Sequence, residues 1–474
     1  MRKASRSQWI RFGIVALIYI LFIIWVGNYW WLFGLAVIFD IYISKIVPWG
    51  KWKHSKNRTL RVVAEWTDAI VFALVAVYFI NVYLFQNYKI PSSSLEKTLL
   101  VGDFLFVSKA SYGPRVPNTP LSFPLAQHTL PVLNCKSYID WPQWPYKRLK
   151  GLGEIKRNDI VVFNFPAGDT VALNYQQTDY YTLCSQVEYE LKNTVNGSQY
   201  VKQHPEAFGK VVYRPVDRRE NYVKRCIGMP GDSLEIKENQ VYINGKISQN
   251  PKKMQLNYIV ETTGARWNDK IFEMLDVSKD DQRILEPVYY PMVGINPSGQ
   301  NQSGMAVYNP VYRIPLTQEA LTKLKKSGYA KSIIVEPDFW GGMVYPVKYD
   351  TGWTRDNYGP VWIPNKGATI QLNENNVALY ERCIVNYEGN SLKIENGKVY
   401  VNGEVANNYT FKYDYFFMMG DNRHNSADSR SWGFVPEDHI VGKPILIWLS
   451  LDKDRKLFDG GIRWNRLFRF VDNQ

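Results

Sequence analysis

Phe12-Gly-Ile-Val-Ala-Leu-Ile-Tyr-Ile-Leu-Phe-Ile-Ile-Trp-Val-Gly-Asn-Tyr-Trp-Trp-Leu-Phe-Gly-Leu-Ala-Val-Ile-Phe39 is a run of 28 residues without one charged side chain. A bilayer-spanning helix takes about 17–25 predominantly apolar residues, so this run is long for one crossing and tight for two. Its flanks decide between them. Arg2, Lys3, Arg6 and Arg11 precede it, and Lys51, Lys53, Lys56, Arg58 and Arg61 follow it. Basic clusters stay on the cytoplasmic face, so the chain crosses an even number of times between the two. Asn28-Tyr29 is the polar break available for the turn. The expected arrangement is a hairpin, about 11–28 and 29–47, followed by a third span at about 66–87 that takes in the uncharged run Ala69–Phe85; a single tilted first helix, with the basic 51–61 segment on the opposite face, is the alternative. Asp40 is costly at mid-membrane and tolerable near an interface. Three crossings place everything after Tyr88 outside the cytoplasm. No small-residue cleavage site stands near the end of the first run, so it is read as an anchor, not a removable leader.

The charge distribution supports this reading. Of the net +13, the first 65 residues carry +8, with ten Lys/Arg against Asp40 and Glu65, which leaves +5 for the other 409. An excess confined to the flanks of apolar segments is read by a membrane, and nucleic acid is excluded as a partner. Cys135, Cys184, Cys226 and Cys383 show neither CxxC nor Cys/His metal spacing. No metal or cofactor is expected, and the pairing of the thiols stays open.

Beyond residue 88, short apolar or alternating segments bounded by Gly, Pro and Asn dominate. Phe104–Val107, Ile160–Phe165, Leu234–Ile236, Val241–Ile243, Val399–Val401 and Ile445–Leu449 are examples. The expected fold is N-terminal transmembrane helices followed by a mainly β extracytoplasmic domain with long insertions. Helical periodicity is sparse there, with Gln318–Lys326 the best short candidate. The expected organisation is a membrane anchor over 1–88, a β domain built from 89–246 and 381–474, and an insertion of unassigned role over 247–380. The bounds of that insertion come from an internal repeat. Lys224-Arg-Cys-Ile…Ser233-Leu-Glu-Ile…Val241-Tyr-Ile-Asn-Gly recurs as Glu381-Arg-Cys-Ile…Ser391-Leu-Lys-Ile…Val399-Tyr-Val-Asn-Gly. Two similar strand–turn–strand units are the preferred reading; a duplicated catalytic piece, its lysine replaced by Glu381, is the alternative.

Four blocks carry the candidate chemistry: Ile90-Pro-Ser-Ser-Ser-Leu-Glu-Lys-Thr-Leu-Leu-Val-Gly-Asp103, Arg157-Asn-Asp-Ile-Val-Val-Phe-Asn-Phe-Pro166, Asn221-Tyr-Val-Lys-Arg-Cys-Ile-Gly-Met-Pro-Gly-Asp232 and Met418-Met-Gly-Asp-Asn-Arg-His-Asn-Ser-Ala-Asp-Ser-Arg-Ser-Trp-Gly-Phe434. Together with the last membrane span, and in this order, they closely resemble type I signal peptidases. The last block is the most specific, and the resemblance covers about a third of the chain. It implies Ser94 as nucleophile and Lys224 as general base, with the Ser94 backbone N–H and the Ser92 hydroxyl as oxyanion hole. It also implies Ser426 as a hydrogen-bond partner of the lysine amine. Asp421, Asp428, Arg430 and Arg225 become a supporting ion network, and Ile90, Leu95, Leu99, Tyr222 and Val223 the lining of a shallow apolar pocket. The implied activity is hydrolysis after an Ala-x-Ala site to release signal peptides from exported preproteins at a bacterial cytoplasmic membrane. Preproteins and the lipid bilayer are the implied partners. One departure stands beside the nucleophile: Leu95-Glu96-Lys97 replaces the Met-x-Pro of many members.

The pairing is chemically sensible on its own terms. A serine hydroxyl is a weak nucleophile until a neighbouring base takes its proton. Lysine can be that base only when neutral, and its free pKa is ~10.4. Burial lowers it, and a fall of ~3 units costs about 4 kcal/mol of folding free energy. A Ser–His–Asp triad is the weaker reading, since His128, His204 and His439 lie in unmarked loops and His424 stands inside the last block. Two rivals remain at this stage: a noncatalytic envelope protein that binds peptides, and a relative dedicated to a single substrate.

Overall fold

A computed structural model describes the chain except residues 1–3, 28, 48, 50–55, 134, 167–169, 176–177, 193, 301, 348 and 472–474, with backbone only at 30, 457 and 458. It divides into two compact units. One comprises residues 1–86 and 108–154, and the other 87–107 and 155–474.

In the first unit, helix α1 (Arg6–Val26) opens on a capping box in which Ser5 and Gln8 exchange hydrogen bonds, and it closes on Gly27 in the left-handed conformation. A single turn, Tyr29–Leu32, leads into α2 (Phe33–Phe39), which continues helically to Ser44. This segment folds back along α1. The Tyr19 hydroxyl donates to Trp31 O at 2.8 Å, and Phe39 meets the rings of Trp9 and Phe12. Asp40 ends the return with its carboxylate satisfied by Ser44 Oγ, the Ile46 and Val47 amides and Trp49 Nε1. Helix α3 (Arg58–Phe79), capped by Asn57, continues to Leu84.

Among the described residues, two helices, Arg6–Val26 and Arg58–Leu84, are long and apolar enough to cross a membrane. Their apolar flanks are uncovered, with Ile18 and Phe72 well exposed. The region expected to supply a second span at 29–47 is different. Its helix Phe33–Ser44 is about 18 Å long at ~1.5 Å per residue, against a hydrocarbon core of about 30 Å. The expected third span begins earlier, at Arg58, and gives way at Phe85 to a strand. Residues 108–154 were expected with the β domain, yet they group with the helices. Lys147 Nζ donates to Val26 O, Trp25 Nε1 to Lys150 O and the Tyr78 hydroxyl to Pro120 O, beside an apolar cluster of Val26, Tyr83, Val116 and Leu149.

The second unit is mainly β. Eight strands form its principal sheet: β1 (Phe85–Lys89), β2 (Asp103–Ser108), β3 (Ile160–Asn164), β4 (Asn221–Gly228), β5 (Tyr415–Met419), β6 (Val435–Pro436), β7 (Ile440–Ser450) and β8 (Arg469–Phe470). They run in the order β1-β2-β7-β3-β4-β5-β6, with β8 on β7. Strand β3 is buried throughout and reads as an apolar run, whereas β4 carries Asn221, Lys224 and Arg225 and is buried only from Lys224 onward. Within the expected insertion, Gln255–Thr262, Val311–Thr317 and Ala330–Val335 build a separate antiparallel sheet. Helices Asp269–Met274 and Gln318–Ser327 close a core that includes Trp267, Phe272, Ile314 and Leu324. The chain then returns: Tyr358–Trp362 pairs with Ser233–Lys237, and Tyr358, Val361 and Ile363 join the core of Phe417 and Phe434.

The repeat resolves into two hairpins, Ser233–Ile243 and Leu392–Val401. Each is followed by a left-handed Asn-Gly pair, Asn244-Gly245 and Asn402-Gly403. Each asparagine also accepts from the backbone of the serine that opens its hairpin, Ser233 or Ser391. Upstream the copies diverge, since Lys224 lies in β4 whereas Glu381 lies in the helix Glu374–Arg382. None of the four cysteines is joined in a disulfide, and Cys135 is the exposed one of the four. Phe417 is fully buried against Tyr358 and Phe434. Phe417→Ala is expected to cost about 3–5 kcal/mol in a denaturant titration, because the returning strand and the sheet collapse onto this one ring.

Candidate active site

The short turn Ser93–Leu95 follows β1, and Lys224 lies in the middle of β4 opposite Val161 of β3. These elements bring Lys224 Nζ to 2.6 Å from Ser94 Oγ, although the residues are 130 apart in sequence. Both are buried, at 3% and 6% exposure. Burial drives the Lys224 pKa down to about 8; Asp428 and Asp421 pull it back up, and Arg430 opposes them. The amine also stands 5.7 Å from the centre of the Tyr222 ring, on the same face of β4. That ring stacks on Phe165 and meets Trp432 edge-on.

The two acids nearest this amine are committed elsewhere. Asp421 receives two parallel bonds from Arg225, at 2.8 and 2.7 Å, and a third from Thr98 Oγ1. Asp428 receives Arg430 at 3.0 and 2.9 Å and also the Gly420 amide. Burial raises the pKa of Asp428, but Arg430 outweighs it and the net shift is downward. Each acid is therefore an anion with a bidentate guanidinium partner.

Ser426 departs from expectation. Its hydroxyl is directed at Ala427 O (3.5 Å), and no hydrogen bond to Lys224 forms. The serine instead packs over Gly420. A Cβ at that glycine would lie 2.6 Å from Ser94 O and from Ser426 Cβ, so the loop can approach the Ser94 turn this closely only with glycine there. Ser92 is extended and exposed at the mouth of the turn. Of the expected pocket residues, Ile90, Leu95 and Leu99 are packed within an apolar core with Leu105 and Val162, and Val223 rests against it. Tyr222 faces the opposite side.

Asparagines supply contacts that no sequence signal assigned. The Asn422 amide donates to Ser94 O (3.1 Å) and its side chain to Ser93 O (3.3 Å). Asn425 Nδ2 holds Asn422 Oδ1, and it exchanges bonds with Asn257 of the insertion. Asn257 in turn donates to buried Glu336, which is paired with Arg313 and Arg355. Asn422 and Asn425 were visible within the last block, but nothing in the sequence marks Asn257. His424 is tied at both ring nitrogens, accepting from the Asn257 amide and facing Asp356 at 3.0 Å. His439 lies between Asp438 and Arg219. Neither is arranged as a base for Ser94. Among the described residues no His/Cys/Asp/Glu group fits a metal ion.

A family profile described as signal peptidase, peptidase S26 matches residues 63–296 and 407–449, which include Ser94, Lys224 and the Gly420–Arg430 loop. The chain belongs to this family. The relatives it resembles carry the name signal peptidase I. That of Buchnera aphidicola subsp. Acyrthosiphon pisum is 24% identical over 430 residues, 88% of this chain and 84% of its own length. That of Aquifex aeolicus is 21% identical over 387 residues, 80% of each chain. That of Haemophilus influenzae is 53% identical over 56 residues, 12% of this chain and 16% of its own.

Asp421→Asn would strip a fully buried Arg225 of its anion. The expected loss is about 3–5 kcal/mol in a denaturation curve. Gly420→Ala is expected to abolish preprotein cleavage with a smaller loss of stability, because it displaces the loop from the Ser94 carbonyl.

Proposed function

We propose that this chain is a membrane-anchored endopeptidase that releases signal peptides from exported preproteins by cutting after an Ala-x-Ala site, with Ser94 as nucleophile and neutral Lys224 as general base. The observation that carries the reading is the 2.6 Å contact between a buried amine and a buried hydroxyl. Family membership supports the reaction class.

In the proposed mechanism, Lys224 Nζ takes the Ser94 proton as Oγ bonds to the scissile carbonyl carbon. The resulting oxyanion receives hydrogen bonds from the Ser94 amide and the Ser92 hydroxyl; each such donor is typically worth ~10²–10³ in rate. Protonated Lys224 then gives its proton to the leaving amine, the C–N bond breaks, and an ester on Ser94 remains. Water attacks the ester, Lys224 accepts the water proton, and Ser94 leaves as the alcohol. Asp421 and Asp428 stay with their arginines and touch no substrate. Substrate binds extended along the Asn221–Lys224 segment of β4, whose pairing with β5 starts only at Arg225.

The proposed topology places residues 87–474 on the extracytoplasmic face of a bacterial cytoplasmic membrane. The turn Tyr29–Leu32 and the short helix that follows it, together about 26 Å, bring the chain back towards the cytoplasmic side, and α3 crosses outward. Residues 255–335 are then an extracytoplasmic insertion.

Ser94→Ala and Lys224→Ala, each folded, are expected to lose cleavage of a preprotein reconstituted in lipid; retained activity in either would end the assignment. Neutral Lys224 is the active form, so kcat/KM should fall about tenfold per pH unit below about 8. The same lowered pKa makes its contribution to stability rise between about 8 and the unfolded-state value, since the unfolded chain binds the extra proton there. Topology is tested with an impermeant thiol reagent on intact cells. Cys135 should react, while a Lys56→Cys label should appear only after permeabilisation.

A further inference from the structure

Beside the Ser92–Ser94 turn lies a cleft of about 940 Å³ that the Ser94–Lys224 contact does not use. Pro91, Ser92, Ser93 and Glu96 line one side, and the insertion lines the other through Asp276–Asp281. Successive side chains at this corner part company: Leu95 enters the apolar core and Glu96 turns to the cleft. Lys97 at the corner has φ 72, and Lys253 Nζ donates to its carbonyl. This is the segment where the chain departs from Met-x-Pro, and a positive φ is closed to proline.

Glu96 is only 8% exposed, and its carboxylate makes no hydrogen bond or ion pair among the described residues. The lining also holds nine Lys/Arg side chains, four of which are engaged elsewhere as follows. Lys97 pairs with Asp276, Lys453 with Asp280, and Arg466 with Asp103. Arg463 Nη1 serves the Val101 and Leu451 carbonyls, and its Nε faces Asp452. Burial raises the Glu96 pKa to about 7; Lys97 and Arg463 oppose the rise, while Asp281 and Asp276 add to it. A buried carboxylate without a partner costs stability, and a cation entering the cleft would supply that partner.

We propose that this cleft is a subsite for a lysine or arginine side chain in the first residues of the mature segment, with Glu96 as the residue that selects for it. The assignment rests on reading Ser94 as the nucleophile. The residues before the scissile bond are proposed to lie along Asn221–Lys224 of β4, and no residue of β4 lines the cleft. The charged subsite therefore belongs to the leaving segment. Asp281 reinforces the selection from the insertion.

The test uses the full-length protein in lipid vesicles and preproteins that carry Lys, Gln or Glu in turn at each of the first four mature positions. At one position or more, kcat/KM should follow Lys over Gln over Glu, with a spread of about tenfold or more between the extremes. Glu96→Gln should compress that spread to about twofold and raise the melting temperature, because it removes an unpartnered charge. Glu96→Lys should reverse the order. Equal cleavage of all three by wild type at every position, or an unchanged spread in Glu96→Gln, overturns the subsite while leaving the nucleophile in place. Failure of wild type to cut any of them overturns the nucleophile reading, and the subsite with it.

Discussion

A lysine amine held in the protein interior against one serine hydroxyl is the constraint around which the rest of the second unit is arranged. An amine in that position keeps its proton if a free carboxylate touches it, and loses it more readily when burial acts alone. Two acids stand within electrostatic reach of Lys224, and each is bound bidentately by an arginine: Asp421 by Arg225 and Asp428 by Arg430. The acids still pull the lysine pKa up and Arg430 opposes them, but desolvation is the leading influence. The ion network thus acts by keeping anions away from the amine, with no need to touch it.

Holding the serine side of the contact is a separate task. The Gly420–Asn425 loop does it through backbone, since Asn422 grips the carbonyl oxygens of Ser93 and Ser94. The loop is in turn held by the insertion. The Gln255 amide donates to Asp421 O, and the Asn257–Asn425 pair leads to the buried Glu336 with its two arginines. A segment without visible chemistry is therefore joined by hydrogen bonds to the turn that carries Ser94. Such satisfied buried networks fix one geometry and are costly to break singly.

Much of this was legible in the sequence, for identifiable reasons. The runs without a charged side chain marked the two long apolar helices, and β3 was readable as an apolar strand. The blocks around Ser94, Lys224 and Gly420 marked the site because the motif residues meet there. What escaped depends on long-range contact. The 29–47 segment is apolar enough to span, yet its helix stops at Ser44, where Asp40 collects four donors. Residues 108–154 lack periodicity, and contacts such as those of Lys147, Trp25, Tyr78 and Asn81, with the apolar cluster around Val26 and Tyr83, tie them to the helices. Glu381 sits in a repeated motif but in a helix, since Asn373 caps that segment and tertiary packing overrides the copied residues. Ser426 was expected at the amine, and it packs against Gly420 instead. Ile90, Leu95 and Leu99 were expected to line an open pocket, whereas they fill a core.

The most direct test of the central claim is the titration of Lys224 itself. The protein labelled with ¹³Cε-lysine in detergent micelles would be followed by NMR across pH 6 to about 11, the span that brackets buried and free lysine, with Lys224→Arg used to assign the resonance. A Cε signal absent from Lys224→Arg and titrating near 8 is the expected result. A Lys224 signal that titrates with the exposed lysines, near ~10.4, would mean the amine is charged at working pH, and would contradict its role as the base for Ser94.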